Sequence, residues 1–376
     1  PTMESLYSVT SHEIAHTWFQ FLMATNESKH SWMDEGFTSY IDDVALNVVL
    51  EKGKALPNAN AYKDYFKWVA TGLEEPMTTH ADRFKYNDGY GMSAYDKGSI
   101  FLSQLEYVIG KENFDRTLKK YFDDWAFKHP KPNDFIRSAE KVSGLELDWY
   151  LLDWDQSTMT IDYSINSIIS ESGSTKIVLK RVGQMGMPID LRVELISGEM
   201  IDFNIPMTKM RGSKPLENAI LLNSWSWAKP FYSFGIDLDK DSISKIIIDP
   251  KGEMADIDRF NNILTPPSSS SFLRFSSSTP IFSSCKDCTT RSCSACMDFA
   301  AACSALVACC SCLSCSARSS STSLACRSRS RRRCCLLPSL LCGRPLLTVV
   351  LGKVPPPRPP RVPQSPVLYE VCIVMA

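Results

Sequence analysis

The chain has 376 residues, 44% of them hydrophobic, and a formal net charge of −1. That length holds roughly two or three ordinary domains, and the apolar share is enough to bury a sizeable core, which excludes a wholly disordered chain. The neutral total hides a break: residues 1–262 carry 28 Lys+Arg against 39 Asp+Glu and residues 263–376 carry 13 against 3, while all 14 cysteines lie between Cys285 and Cys372, so the first two thirds uses no disulfides.

The opening "PTMESLYSV" has no initiating Met, basic n-region or apolar h-region, and reads as a fragment whose natural N-terminus lies upstream. From Glu4 to about Ala24 there is no Gly or Pro, and Ile14, Trp18, Phe21 and Leu22 recur at helical spacing, which predicts a helix burying that stripe. His12 and His16 then project from the opposite side, one turn apart, where two imidazoles suit a single tetrahedral zinc ion. Glu13 stands beside the metal without binding it. A helix with two unrelated histidines is the alternative, and a third ligand decides between them.

Glu35 supplies that ligand, in "SWMDEGFTSYIDD", 18 residues beyond His16. The segment from Trp32 to about Val49 again reads as helix, with Phe37, Tyr40, Ile41, Val44, Leu46 and Val48 as its apolar positions. Two antiparallel helices joined by the polar turn "TNESKHS" bring His12, His16 and Glu35 to one point. Three protein ligands leave a fourth position for water, as a catalytic zinc site requires. Phe19 and Leu22 stand where a metzincin has Gly and His.

"HEIAHTWF" and "WMDEGFTSY" resemble the zinc segments of the aminopeptidase N-type zinc metallopeptidases, gluzincins with HExxH-x18-E, and "SAYDKGSIFLSQLE" resembles that family's Tyr-x-Lys-Gly helix. The resemblance covers about residues 1–262. It implies an α+β fold: a mainly helical, thermolysin-like catalytic half over 1–158, then a small antiparallel β-domain over 159–262. It also implies one Zn2+ held by His12, His16 and Glu35, with Glu13 as general base and Tyr95 as hydrogen-bond donor to the oxyanion. The substrates implied are peptides, shortened from their N-terminal end. The family's Gly-x-Met-Glu-Asn motif, which holds the free amine some thirty residues before the zinc helix, is not matched: 11 residues precede His12, and Glu4 lies too close to be that anchor. An inactive or structural fragment, or a related zinc hydrolase with endopeptidase or epoxide hydrolase activity, therefore stays open. A secreted or periplasmic setting is implied by resemblance alone, and oligomeric state is left open.

Tyr86 and Tyr90, just before that helix, have no assigned role. Further on, Phe114, Leu118, Tyr121 and Trp125 fall at helical spacing, and "NDFIRSAEKVSG" predicts a helix from an Asn133 cap to Gly144. From about Ile161 the period changes to two. Ile189, Leu191, Val193 and Leu195 alternate with polar residues before a turn near Gly198, and "TKIVLKRV", "AILLNSWSW" and "SISKIIIDP" supply further strands. Trp225 and Trp227 are read as β-domain core. His30, His80 and His129 are read as solvent-exposed.

The tail, 263–376, is rich in Ser, Cys, Arg and Pro and lacks periodic apolar patterning, which predicts disorder or an out-of-frame translation. In "CKDCTTRSCSAC" four residues separate the CxxC pairs, where a folded zinc site needs about 15 to 20. The run Arg327 to Arg333 has no folded recognition element beside it, so no nucleic-acid partner is expected. "LLTVVLGKV" and "VLYEVCIVMA" fall short of the roughly 20 apolar residues a membrane span needs.

Overall fold

A computed structural model describes residues 2–266, and the readings made for the tail beyond them lie outside the described residues. Helix α1, Met3–His16, is opened by a reciprocal cap: Thr2 Oγ1 accepts from the Ser5 amide at 3.1 Å and Ser5 Oγ from the Thr2 amide at 2.9 Å. It runs into a π-helical turn, Thr17–Leu22. After a 3-10 turn at Ser31–Met33, helix α2 spans Glu35–Val49. The contacts Glu4–Lys52, Ser8–Asp42 and His16–Asp34 run in opposite order along the two segments, so α1 and α2 are antiparallel.

The buried face of the first helix differs from the one its apolar pattern predicts. Ala15, Phe19 and Met23 are buried, Trp18 and Leu22 are half-buried, and Ile14 and Phe21 are 53% and 68% exposed. The cause is that the histidine-bearing face is the one that packs on α2, and that the π turn widens the spiral just after His16. An unbroken 3.6-residue period, projected across that turn, picks the wrong side.

Helices α3 (Ala59–Val69), α4 (Asn87–Gly91), α5 (Gly98–Ile109), α6 (Lys111–Trp125), α7 (Pro132–Ser143) and α8 (Asp148–Asp155) complete the helical part. A second π-helical turn, Met92–Lys97, leads into α5. Helix α5 is the central one: Ile100, Phe101, Leu102, Leu105, Val108 and Ile109 are all fully buried. Helix α6 packs Phe114, Leu118 and Tyr121 inward, as their spacing predicts. Helix α7 ends at Gly144 in the left-handed region, but its N-terminal cap is Lys131, whose amide donates to Asp134 Oδ2 at 2.8 Å. Pro132 accounts for the two-residue shift from Asn133, because its fixed φ suits the first helical position. Among the described residues no helix is long and apolar enough to cross a membrane.

Two sheets follow. One is antiparallel and has three strands, with β1 (Tyr163–Glu171), β2 (Ser174–Arg181) and β6 (Phe231–Ile236) in the order β1-β2-β6. The other has five, in the order β5-β4-β3-β7-β8: β3 (Ile189–Leu195), β4 (Met200–Ile205), β5 (Ile220–Leu221), β7 (Ile243–Ile248) and β8 (Ile263–Leu264). In β3 the expected alternation holds, with Ile189, Leu191, Val193 and Leu195 buried and Arg192 pairing across to Asp202 at 2.7 Å. The purely antiparallel expectation needs correction at one edge, where β5 pairs parallel to β4. The long excursion from Pro206 to Ala219 supplies the crossover a parallel neighbour requires. Strand β8 pairs with β7 just past the compositional break. Trp225 is buried as expected, whereas Trp227 is 53% exposed, with Lys209 Nζ 4.6 Å from its ring centre.

The sheets dock on α5 through polar side chains. Gln104 Nε2 donates to Glu253 O at 2.7 Å and its Oε1 accepts from the Ala255 amide at 3.0 Å, while the Tyr107 hydroxyl donates to Pro188 O at 3.2 Å. The described chain is thus α+β around one continuous core.

Candidate metal centre

Two neighbouring helices build the site. His12 and His16 lie one turn apart on α1, with ring centres 4.9 Å apart and ring planes nearly perpendicular. Glu35 is the first residue of α2, so the turn between the helices presents its carboxylate to both rings. Its Oε2 lies 3.1 Å from His12 Nε2 and 3.3 Å from His16 Nε2. The Tyr95 hydroxyl donates to Oε1 at 2.7 Å, and the Tyr95 ring stacks on His12 at 5.9 Å. The ligand atoms of His12, His16 and Glu35 all fall within 4.8 Å of one another. Four of the five residues singled out from the sequence therefore converge. The fifth, Glu13, is exposed on the flank of α1, near enough for its charge to help raise the His12 pKa.

The electrostatics follow from half-burial. The hydrogen bond to Glu35 raises the His12 imidazole above its ordinary value, against the desolvation that would lower it. For Glu35, burial works upward, but the hydrogen bonds from His12 and Tyr95 and the nearby imidazoles win, and its pKa is lowered. Burial and then the Glu35 hydrogen bond push the Tyr95 phenol well up. The phenol therefore stays protonated and able to donate.

Two residues went unread in the sequence. Asp34 Oδ1 lies 2.6 Å from His16 Nδ1, and the Thr38 hydroxyl sits 3.3 Å from the same nitrogen. Burial, opposed by the charge of His16, pushes the Asp34 carboxyl up to about 7. Its place directly before Glu35 was the available signal. Of the three histidines read as exposed, His129 is exposed and His80 borders on it, but His30 is half-buried: its Nδ1 has no hydrogen-bond partner and desolvation lowers its pKa. Its ring is enclosed because the inter-helix turn folds against the body of the protein, with Ser31, Trp32 and Met33 buried directly after it. Tyr90 makes an edge contact with Tyr95 at 6.5 Å. One other acidic group comes together among the described residues, Glu140, Glu146 and Asp148, but Glu140 is already held by Arg137 and the Leu147 amide.

The donor set can be tested against a metal. A tetrahedral ion with bonds of about 2.0 to 2.1 Å has ligand atoms about 3.3 Å apart along each edge. Two of the three edges, at 3.1 and 3.3 Å, match and the third lies within 4.8 Å, and two nitrogens with one carboxylate oxygen are a donor set that leaves a fourth position open.

Residues 2–154 match the Peptidase family M1 domain. The segment belongs to peptidase family M1. The chain is 24% identical over 220 residues to aminopeptidase M1-A of Oryza sativa subsp. japonica, covering 52% of this chain and 24% of the relative. It is 27% identical over 165 residues to leucine aminopeptidase 2 of Neurospora crassa, covering 39% and 24%. Aminopeptidase A of Legionella pneumophila, solved in complex with aspartic acid, aligns at 17% identity with a TM-score of 0.43, covering 66% of this chain and 26% of that one. The chain thus spans about a quarter of the length of the curated relatives it matches.

Proposed function

We propose that this chain is a zinc-dependent peptidase of aminopeptidase type, removing N-terminal residues from peptides, with one zinc per chain. In this reading residues 1–158 are a thermolysin-like catalytic domain and 159–262 a β-rich domain that backs it. The observation that carries the proposal is the position of Glu35 Oε2, at bonding-edge distance from both imidazole Nε2 atoms, with Tyr95 on the other carboxylate oxygen. When bound, zinc supplies a Lewis acid that activates water and polarises a carbonyl.

The chain's own residues do the rest. His12 Nε2, His16 Nε2 and Glu35 hold the metal. Asp34 holds the His16 proton at Nδ1, which leaves Nε2 free as a donor atom. Glu13 takes a proton from the attacking water and passes it to the leaving amine. Tyr95, protonated across the working range, donates to the oxygen on which negative charge develops.

Turnover of an aminoacyl chromogenic amide, with free and with blocked amine, tests this. The proposal expects hydrolysis of the free-amine substrate only, and a loss of at least about 100-fold in Glu13→Gln with zinc content unchanged. Cleavage of the blocked substrate would point to an endopeptidase. Stoichiometric zinc without turnover of either substrate would mark a metal-binding fragment.

A further inference from the structure

The Tyr95 hydroxyl comes from a different segment than the three metal-ligand candidates, so something must set the gap between them. Gly36 directly follows Glu35, and Gly98 lies three residues beyond Tyr95. A β-carbon built on Gly36 would lie 2.6 Å from Gly98 Cα and 3.1 Å from Ala94 O; one built on Gly98 would lie 2.7 Å from Gly36 Cα and 3.2 Å from Trp32 Cβ. The obstacle is backbone on both sides, so neither neighbour can swing away. Neither glycine has a positive φ, and space alone demands them.

A second observation fixes the same turn from its other side. Lys97, two residues after Tyr95, is 1% exposed, and its Nζ donates to Glu74 Oε1 at 2.6 Å and to Ser157 O at 3.1 Å. The π-helical turn Met92–Lys97 is thus clamped between α2 and a buried ion pair. Widened turns of this kind often mark functional positions.

We infer that the Gly36–Gly98 backbone contact is the spacer that positions the Tyr95 hydroxyl against the metal centre, with Lys97 as its counter-clamp. A single methyl group at the contact moves the Tyr95 turn outward and breaks the bond to Glu35, while the ligand trio, all on the α1–α2 side, stays together. The inference rests on the peptidase reading, in which Tyr95 stabilises the oxyanion.

Crystal structures of the full chain, wild type and Gly98→Ala, test it. In the variant the Tyr95 hydroxyl to Glu35 separation is expected to pass beyond about 3.5 Å, and zinc affinity by chelator competition stays within about threefold. On an aminoacyl amide, Gly98→Ala lowers kcat about 100-fold, as Tyr95→Phe does, with little change in KM. The double variant falls no further, because both changes remove one interaction. Retention of the 2.7 Å bond in Gly98→Ala, or losses that multiply with Tyr95→Phe, overturns the inference. Gly36→Ala wedges the same contact from the other side and serves where Gly98→Ala does not fold. Failure of both to fold beside a folded Tyr95→Phe would make the contact a folding element and not a spacer. A wild type that binds no zinc sinks the peptidase reading and leaves the distance measurement standing.

Discussion

At the scale of single residues, Glu35 organises the site by placing one carboxylate oxygen between two imidazoles and offering the other to a phenol. In the proposed enzyme its neighbour Asp34 fixes the ring of His16, and partners of that kind are worth about 10- to 100-fold in metal affinity. Asp34→Ala is therefore expected to weaken zinc binding by about that factor, with Asp34→Asn recovering most of it because the amide oxygen still accepts from Nδ1. Chelator competition measures both, and equal losses in the two variants would show that Asp34 acts otherwise. The convergence of His12, His16 and Glu35 was legible in the sequence because two imidazoles one helical turn apart and a carboxylate 18 residues on fix residue type and spacing at once. Asp34 was not, since a carboxylate beside a ligand has no spacing rule of its own and only the fold shows which ring it meets.

At the scale of elements, helix period carried the reading wherever a helix is regular. Phe114, Leu118 and Tyr121 in α6 and the strict alternation of β3 are buried as their spacing predicts, because one regular period maps onto one face. The first helix departs from this, since its π turn interrupts the period just past His16. Phe19, 2% exposed, is thus a core residue and Ile14, 53% exposed, is not. Phe19→Ala is expected to cost about 3 to 5 kcal/mol in unfolding free energy, and Ile14→Ala less than about 1 kcal/mol. Urea titrations of the two variants decide the matter, and the reverse order would place the helix on its other face. Helices α3 and α8 and strands β1 and β6 carry weaker signals in the sequence: α3 and α8 lack flanking signals as clear as the Gly144 stop of α7, β1 loses its alternation over its second half, and β6 is exposed or half-exposed along most of its length.

For the molecule as a whole, stability is tied to pH through carboxylates that the core encloses. Burial pushes Asp155, Asp249 and Asp256 up to about 6, each against hydrogen bonds that pull the other way. A folded pKa above the unfolded value of about 3.9 means that the neutral acid favours the fold, so this contribution is whole below pH 4 and is lost as pH rises through 6. Asp155 accepts from Trp32 Nε1 at 2.9 Å, a bond an asparagine oxygen keeps. In metal-free protein, Asp155→Asn is expected to gain on the wild type by roughly 2 to 3 kcal/mol between pH 4 and pH 7.5. Parallel stability profiles for the two proteins would show that Asp155 does not titrate in that window. The helical part and the strands form one body because Gln104 and Tyr107 of α5 hold the sheets through hydrogen bonds in a buried setting, which no periodicity in the sequence announces.

The central claim, that His12, His16 and Glu35 grip one divalent ion, is tested most directly by equilibrium dialysis of the purified chain against buffered zinc, with His16→Ala and Glu35→Ala beside it. One ion per wild-type chain is expected, with the stoichiometry lost in both variants while their circular dichroism stays folded. A wild type that remains metal-free, or variants that keep a full equivalent of zinc, would contradict it.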